Sequence, residues 1–481
     1  MIEPVATAHT PASLAAACRR EPGVVLLEST GGDVHQSRHS FVAARPFAVL
    51  RAWGAACELA QEGRRQWLYG DPWMVLERLL ARYDLGNADR APFPLGGCFG
   101  VWGYDLKHFI EPRLPRTSAA DLGLPDLHVG FHDSLVVFDH RDRRTWVVST
   151  GLLPDGSRQR SRARQRLEEW RRRLDEPPVP NAETTVPMPE HRPACRSSLS
   201  REEYLRRVER VLAYIAAGDI YQVNLSQRFT VDGGVDGWVL HEALRALSPA
   251  PFAGWLDAGD FALVSSSPEL FLRLSGDRIT TCPIKGTRPR APDPVRDAAL
   301  AAELTGSPKE QAELVMITDL LRNDLGRVCE FGSIRVPRLA GLESFAQVHH
   351  LVSTVTGRLR DDVTHLSALA GCFPGGSITG APKVRAMEII EELEPVTRGP
   401  FTGCLGYLGF NRESQLSILI RMAVCLPDRT CFHAGAGIVA ESDPSAEYAE
   451  TLTKSLGIRR ALAAIATGEP PLHRQIEPQQ T

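Results

Sequence analysis

Apolar and polar positions follow a period of two through the first part of the chain. Val24-Val25-Leu26-Leu27-Glu28-Ser29 predicts a buried strand that Gly31-Gly32 ends, and Ser40-Phe41-Val42-Ala43 predicts a second. Gly96 to Tyr104 alternates small and aromatic residues, as a close-packed central strand does. Ser134–Asp139 and Thr145–Ser149 predict a hairpin around Arg141-Asp142. The period then changes. Residues 158–173 form an arginine-laden helix whose apolar positions are Leu167, Trp170 and Leu174. A solvated helix face explains those arginines better than a nucleic-acid arm. Glu176-Pro177-Pro178-Val179-Pro180 opens a proline run that reaches Pro193, the clearest break in composition. The expected organisation is a first lobe (1–173), a Pro-rich linker (174–198), a second lobe (199–467) and a tail (468–481). No internal repeat is visible.

Helical periodicity resumes at Ser200, which with Glu203 makes a capping box. Tyr204, Leu205, Val208, Val211, Leu212 and Ile215 form one stripe, and Gly218 ends it. Tyr221 to Ser226 alternates, with Gln222, Asn224 and Ser226 on one side. Such a face either lines a wet cavity or faces solvent, and from alternation alone solvent is the commoner outcome. Arg278–Cys282 predicts a strand that Pro283 ends. Lys285 then sits between that proline and the permissive Gly286, which predicts a lysine presented from a fixed turn. Arg288 and Arg290 follow. Nearby positive charge and burial lower a lysine pKa, and the neutral amine is a nucleophile. The alternative is an ordinary solvated lysine.

Carboxylates supply the other candidates. Glu269 follows Ser265-Ser266-Ser267-Pro268 among small and apolar residues. Burial there would raise its pKa and suit a general acid; a turn acid in solvent is the alternative. Ser307-Pro308-Lys309-Glu310 predicts an N-cap, a proline at the first helical position and a capping-box Glu310. Glu313, one turn on, shares a face with Met316, Ile317 and Leu320 and needs a partner. Asp443-Pro444 starts another helix, on which Glu447, Glu450 and Lys454 share a face. Two such helices could assemble an oxygen-rich Mg²⁺ site, or could simply carry exposed ion pairs. Ala434-Gly435-Ala436-Gly437 offers backbone N–H groups to a carboxylate, or close backbone packing. Gly375 and Gly380 have phosphate-loop spacing, but Ala381 stands where that motif requires lysine, so a nucleotide site is rejected.

Composition narrows the class without changing this picture. The 481 residues are 43% hydrophobic and 23% charged, with a net charge of -3, which argues against a general nucleic-acid binder. Ten cysteines are scattered with no C-x-x-C pair, as suits reduced thiols in a cytoplasm. The start has no basic region, and no 18-residue apolar run appears.

Read together, GDIYQVNLSQRF (218–229), SSSPELFLR (265–273), PIKGTRPR (283–290), ITDLLRNDLGRVC (317–329), FPGGSITGAPKVRAMEIIEELEP (373–395), GYLGF (406–410) and GAGIV (435–439) closely resemble the chorismate-utilising enzyme family across Leu199–Leu462. The first lobe resembles the N-terminal region of the anthranilate and aminodeoxychorismate synthase large components through LLES (26–29), SFVAARP (40–46) and GGCFGVWGYDL (96–106).

The resemblance implies an α+β fold, a large antiparallel β-sandwich flanked by helices. Anthranilate-, salicylate- and isochorismate-forming relatives usually carry Ala at the position of Lys285. Water-activating relatives carry Lys at the position of Gln222. Both positions point to the branch that aminates chorismate at C4 to 4-amino-4-deoxychorismate; anthranilate formation is the alternative. The same chemistry would serve folate or a specialised metabolite. A non-catalytic paralogue would be expected to have lost metal acids that are all present here. The implied roles are Lys285 as nucleophile and Glu269 as general acid. Gln222, His350, Thr379, Tyr407, Arg421, Gly435, Gly437 and Lys454 would surround the substrate. Glu313 and Glu450 would hold Mg²⁺, with Glu310 and Glu447 supporting. Leu314 replaces the His or Asn that relatives often carry after the metal-binding acid. The chain shows no glutaminase segment, so a glutamine amidotransferase subunit is the expected partner. Ser29 marks a possible tryptophan pocket.

Overall fold

The computed structural model describes residues 1–30, 38–86, 91–178, 195–345 and 348–467. Most of the proline run and the tail lie outside them. Two antiparallel 12-stranded sheets face each other. The first runs from Ile2–Val5 at one edge to Cys195–Ser197 at the other, and includes Val25–Glu28, His39–Ala43, Ala262–Ser267, Met422–Cys425, Arg429–Ile438 and Gln222–Asp232. The second runs from Ile284–Pro289 to Arg64–Tyr69, and includes Val348–Arg358, Leu270–Ser275, Glu413–Ile418, Cys404–Gly409 and Gly97–Trp102. Strands from before and after the proline run therefore share both sheets.

Period-two patterning explains the layers. Val25 and Phe41 point between the sheets, where they meet Phe99, Val101 and Leu405 of the second sheet. Their neighbours Leu26 and Val42 point outward, against Leu14, Trp170, Leu240 and Leu462 of covering helices. Leu50, Trp102 and Leu272 do the same on the second sheet, against Leu76 and Leu369. The predicted helix spans Arg160–Asp175 and buries Leu167, Trp170 and Leu174. The predicted hairpin forms as Ser134–Asp139 paired with Arg144–Ser149.

A buried ion pair joins the N-terminal third to the rest. Lys107 is fully buried and meets Asp105 Oδ1 at 2.9 Å and Glu391 Oε1 at 2.8 Å. With His108, these acids are the one group among the described residues whose potential ligand atoms all lie within 4.8 Å. The Lys107 ammonium already supplies the cation there, so this cluster is not a metal centre.

Candidate active site

Two crossings between the sheets lie side by side. Ala262–Ser267 ends in the first sheet and Leu270–Ser275 begins in the second. Pro268 lacks the N–H that would continue the ladder, so Glu269 falls in the crossing. Glu413–Ile418 and Met422–Cys425 repeat the manoeuvre in reverse, with Arg421 at a φ of 51°. The Ser266 N–H donates to the Arg421 carbonyl at 3.0 Å and holds the two crossings together.

Glu269 is buried, not a solvent-facing turn acid. Its Oε1 accepts from Ser377 Oγ at 2.6 Å. Burial pushes its pKa up to about 7, against the opposing pull of Ser377, Lys285 and Lys454. Ser377 belongs to the loop that resembled a phosphate motif. Sequence spacing tested that loop for the wrong chemistry and missed its role as a donor.

Lys285 does not sit in a turn. Arg278–Cys282 and Ile284–Pro289 pair with the same strand, Val348–Arg358, in one register carried across Pro283. The register shifts only between Lys285 and Thr287, where Gly286 adopts a φ of 67° as a bulge. A Cβ on Gly286 would stand 2.7 Å from Leu304 and 3.1 Å from Glu310 Oε2. A strand therefore fixes Lys285, more rigidly than a turn would. Burial lowers its pKa, and Lys454 lowers it further, while Glu313, Glu269 and Glu450 oppose. Arg288 and Arg290 are not the positive neighbours expected from sequence. Arg288 pairs with Glu303 at 2.8 Å and Arg290 with Asp297 at 2.8 Å.

The polar face of Gln222–Asp232 points inward, against the solvent expectation. Gln222 is fully buried, and neither amide atom has a hydrogen-bond partner among the described residues. A Cβ on Gly437 would stand 2.9 Å from Gln222 Nε2, 3.2 Å from Asn224 Oδ1 and 3.5 Å from Lys285 Nζ. Three polar atoms from both sheets thus converge over one glycine. Asn224 is an addition to the expected set; alternation placed it on the correct face without singling it out.

The acids come from two helices. Ser307 caps Pro308–Gly326 by accepting from the Glu310 N–H, and no reciprocal Glu310 bond closes the box. The Glu310 carboxylate instead lies 3.5 Å from Arg288. Glu313 Oε2 is 4.0 Å from Lys285 Nζ. On Pro444–Thr467, Glu447 accepts from Ser442 Oγ at 2.6 Å, and its buried Oε2 has no partner among the described residues. Glu450 pairs with Lys454 at 2.7 Å, both half-exposed. Lys454 also donates to the Gly435 carbonyl at 3.1 Å. Burial raises the pKa of Glu313 and Glu447, and Glu450 raises both further. The Glu450 charge acts on Glu313 from the second helix.

His350 is buried beside the bulge, with Nδ1 2.9 Å from Thr287 Oγ1 and 3.3 Å from the Gly286 carbonyl. Burial pushes its pKa down to about 4. Arg421 is a cation whose pKa burial lowers, with no carboxylate offsetting that. Thr379 is wholly buried and donates to the Gly375 carbonyl at 3.0 Å, so its hydroxyl shapes the loop. Tyr407 is not brought to this cluster. Its ring packs on Phe41 and Phe99 between the sheets, and the charges acting on it are Arg273 and Glu413. Its strand position carries it into the apolar layer. The Ser29 N–H donates to Ser40 Oγ at 3.0 Å. The cavity lined by the adjoining Leu27, Glu28 and Phe41 measures about 20 Å³. Ser29 itself does not line it, and residues 31–37, which follow Ser29, lie outside the described residues.

An antiparallel sandwich with a half-buried lysine, a buried acid of raised pKa and acids on two nearby helices agrees with the chorismate-utilising resemblance of its motifs. The chain belongs to the chorismate binding enzyme family, whose profile matches residues 29–460. Aminodeoxychorismate synthase component 1 of Klebsiella aerogenes is 41% identical over 435 residues, which cover 90% of this chain and 92% of that protein. Anthranilate synthase component 1 of Thermus thermophilus is 42% identical over 403 residues, covering 83% and 84%. The crystal structure of anthranilate synthase component I from Streptococcus pneumoniae superposes with a TM-score of 0.76 at 29% identity, covering 88% of this chain and 92% of that one. Overall identity does not choose between the two products.

Proposed function

We propose that the protein aminates chorismate at C4, giving 4-amino-4-deoxychorismate, as an aminodeoxychorismate synthase component I of the cytoplasm. The observation that carries this reading is the Lys285 amine beside Gly437, opposite the unpartnered Gln222 amide. A lysine there supplies a nucleophile, and a glutamine cannot serve as the base that activates water.

Lys285 adds at C2 of the ring while Glu269 protonates the departing 4-hydroxyl, which leaves as water. Ammonia then attacks C4 and expels the Lys285 amine. Two allylic displacements replace one direct substitution. Arg421 offers an uncompensated cation to a substrate carboxylate, and Gln222 and the Gly435–Gly437 backbone line the ring. His350 stays neutral and orders the bulge. The names of the relatives, component 1, support a glutamine amidotransferase subunit as the ammonia source.

Carboxylates on two helices, Glu310 and Glu313 on one and Glu447 and Glu450 on the other, support a divalent cation, and the buried Glu447 Oε2 lacks a partner among the described residues. Glu313 and Glu450 would hold Mg²⁺, with Glu310 and Glu447 supporting; when bound, it neutralises the ring carboxylate of the substrate. The catalytic region starts at Leu199, after an N-terminal lobe and the Pro-rich linker.

Anthranilate formation is the second reading, favoured by the equally similar anthranilate synthase relative. One assay separates them. Purified protein is incubated with chorismate, Mg²⁺ and excess ammonium, and the product mass is measured. Anthranilate and pyruvate as sole products would overturn the C4 reading.

A further inference from the structure

Arg398 follows the helix Lys383–Leu393 and is 3% exposed. All five of its N–H groups have acceptors. Nε donates to Glu394 Oε2 at 2.9 Å. Nη2 donates to Glu394 Oε1 and to the Asn224 carbonyl, both at 2.7 Å. Nη1 donates to the Ile378 carbonyl at 3.0 Å and to Thr402 Oγ1 at 3.2 Å. The guanidinium carbon lies 4.8 Å from the Tyr104 ring centre and 5.8 Å from that of Phe401. Glu394 Oε1 also accepts from the Ser226 N–H at 2.8 Å and Ser226 Oγ at 2.9 Å.

The two carbonyls it holds matter most. Ile378 lies between Ser377, the donor to Glu269, and Thr379, whose carbonyl accepts from Asn224 N at 2.8 Å and Nδ2 at 3.2 Å. Asn224 in turn directs Oδ1 toward Gly437, beside Gln222 and Lys285. We propose that Arg398 is the positioning residue of this site: one planar fork fixes both the hydrogen-bond donor to Glu269 and the wall opposite Lys285, without touching substrate. This rests on the role given to Glu269 above. A buried ion pair is weak support for stability, because apolar replacements are often neutral. Five satisfied donors in one plane instead specify geometry. Lysine has three donors on one point and cannot span Glu394, Ile378 and Asn224 together.

The test uses full-length Arg398→Lys, Ser377→Ala and the double variant. Chorismate consumption is followed against pH with Mg²⁺ and ammonium, so the readout does not depend on which product forms. The charged groups facing Glu269 are Lys285 and Lys454, and neither is altered. Loosening the Ser377 donor destabilises the carboxylate form. Arg398→Lys is expected to lower kcat about 100-fold, the scale of a misplacement near 1 Å, with KM little changed. The alkaline limb moves to higher pH, as in Ser377→Ala, and the double variant moves it no further. A loss of activity with the limb at its wild-type position would make Arg398 merely structural and overturn the inference. So would additive shifts, or a limb that Ser377→Ala does not move. Should Arg398→Lys fail to fold, Arg398→Met/Glu394→Leu removes both charges and is read the same way. Product mass of the wild type separately decides the C4 reading.

Discussion

Lys285 Nζ stands 4.0 Å from Glu313 Oε2, an ion pair without a hydrogen bond. A charge-assisted contact would close to about 2.8 Å. The amine is therefore held in register by its strand and the Gly286 bulge, not clamped by an acid. Burial and Lys454 both favour its neutral form. Lys285→Ala should abolish any covalent adduct seen by intact mass after mixing with chorismate, and amination should fail with it. An adduct that survives, mapped to another residue, would remove Lys285 from the role of nucleophile.

Glu269 acts as an acid only while protonated. Its pKa, raised to about 7 by burial, means that kcat/KM should fall as pH rises through that value. Lys285 must be neutral, so the rate should also fall toward acid, giving a bell. Glu269→Gln keeps the shape and removes the proton. It should cost about 10²–10⁴-fold in kcat, the usual span for a general acid, and erase the alkaline limb. A limb unchanged in Glu269→Gln would belong to another group.

The facing acids should bind Mg²⁺ without turnover. Burial and mutual repulsion raise the pKa of Glu313 and Glu447, and a dication relieves that repulsion. A ligand at 100 times its Kd stabilises by about 2.7 kcal/mol, so Mg²⁺ should raise the Tm. Glu313→Gln/Glu450→Gln should abolish the rise. A rise that persists in this double variant would place the ion elsewhere.

Buried histidines make the fold acid-sensitive. Burial holds His39 and His350 near pKa 4, and His128 and His132 near 3. The unfolded chain binds more protons between those values and about 6.5, so stability rises with pH across that window. Glu269, Asp126, Glu313 and Glu447 work in the opposite sense, since burial raises their folded pKa values, and they offset only part of the effect of the neutral imidazoles. The Tm should therefore drop steadily from pH 6.5 toward 4. A Tm independent of pH in that range would contradict the buried neutral imidazoles.

Strands at Val25–Glu28, Gly97–Trp102 and Ser134–Asp139 were legible because period two and turn residues are local signals. Lys285 and Glu269 were legible as candidates, because a proline beside an isolated charge marks a strand end. What the sequence hid is set by long-range closure. The inward turn of Gln222 depends on a second sheet that approaches from elsewhere in the chain. The charge that Glu450 exerts on Glu313 depends on two helices more than a hundred residues apart. Arg398 carries no local signal, and only the fold brings Glu394, Asn224 and Ile378 around it. Tyr407 shows the reverse, a motif residue whose strand position carries it into the core.

Gly437 offers the sharpest geometric test. Its φ is unremarkable, so backbone strain does not forbid a side chain there. Space does: a methyl group would stand 2.9 Å from Gln222 Nε2 and 3.5 Å from Lys285 Nζ. Gly437→Ala should fold with a near wild-type Tm while displacing either the amide or the amine. A shift near 1 Å in a reacting group costs on the order of 100-fold, so kcat/KM for chorismate should fall by about that factor. Gln222→Ala in the same background removes the nearer obstacle and should recover part of the loss. Wild-type kinetics in Gly437→Ala would mean that the lysine and the amide do not converge over this glycine.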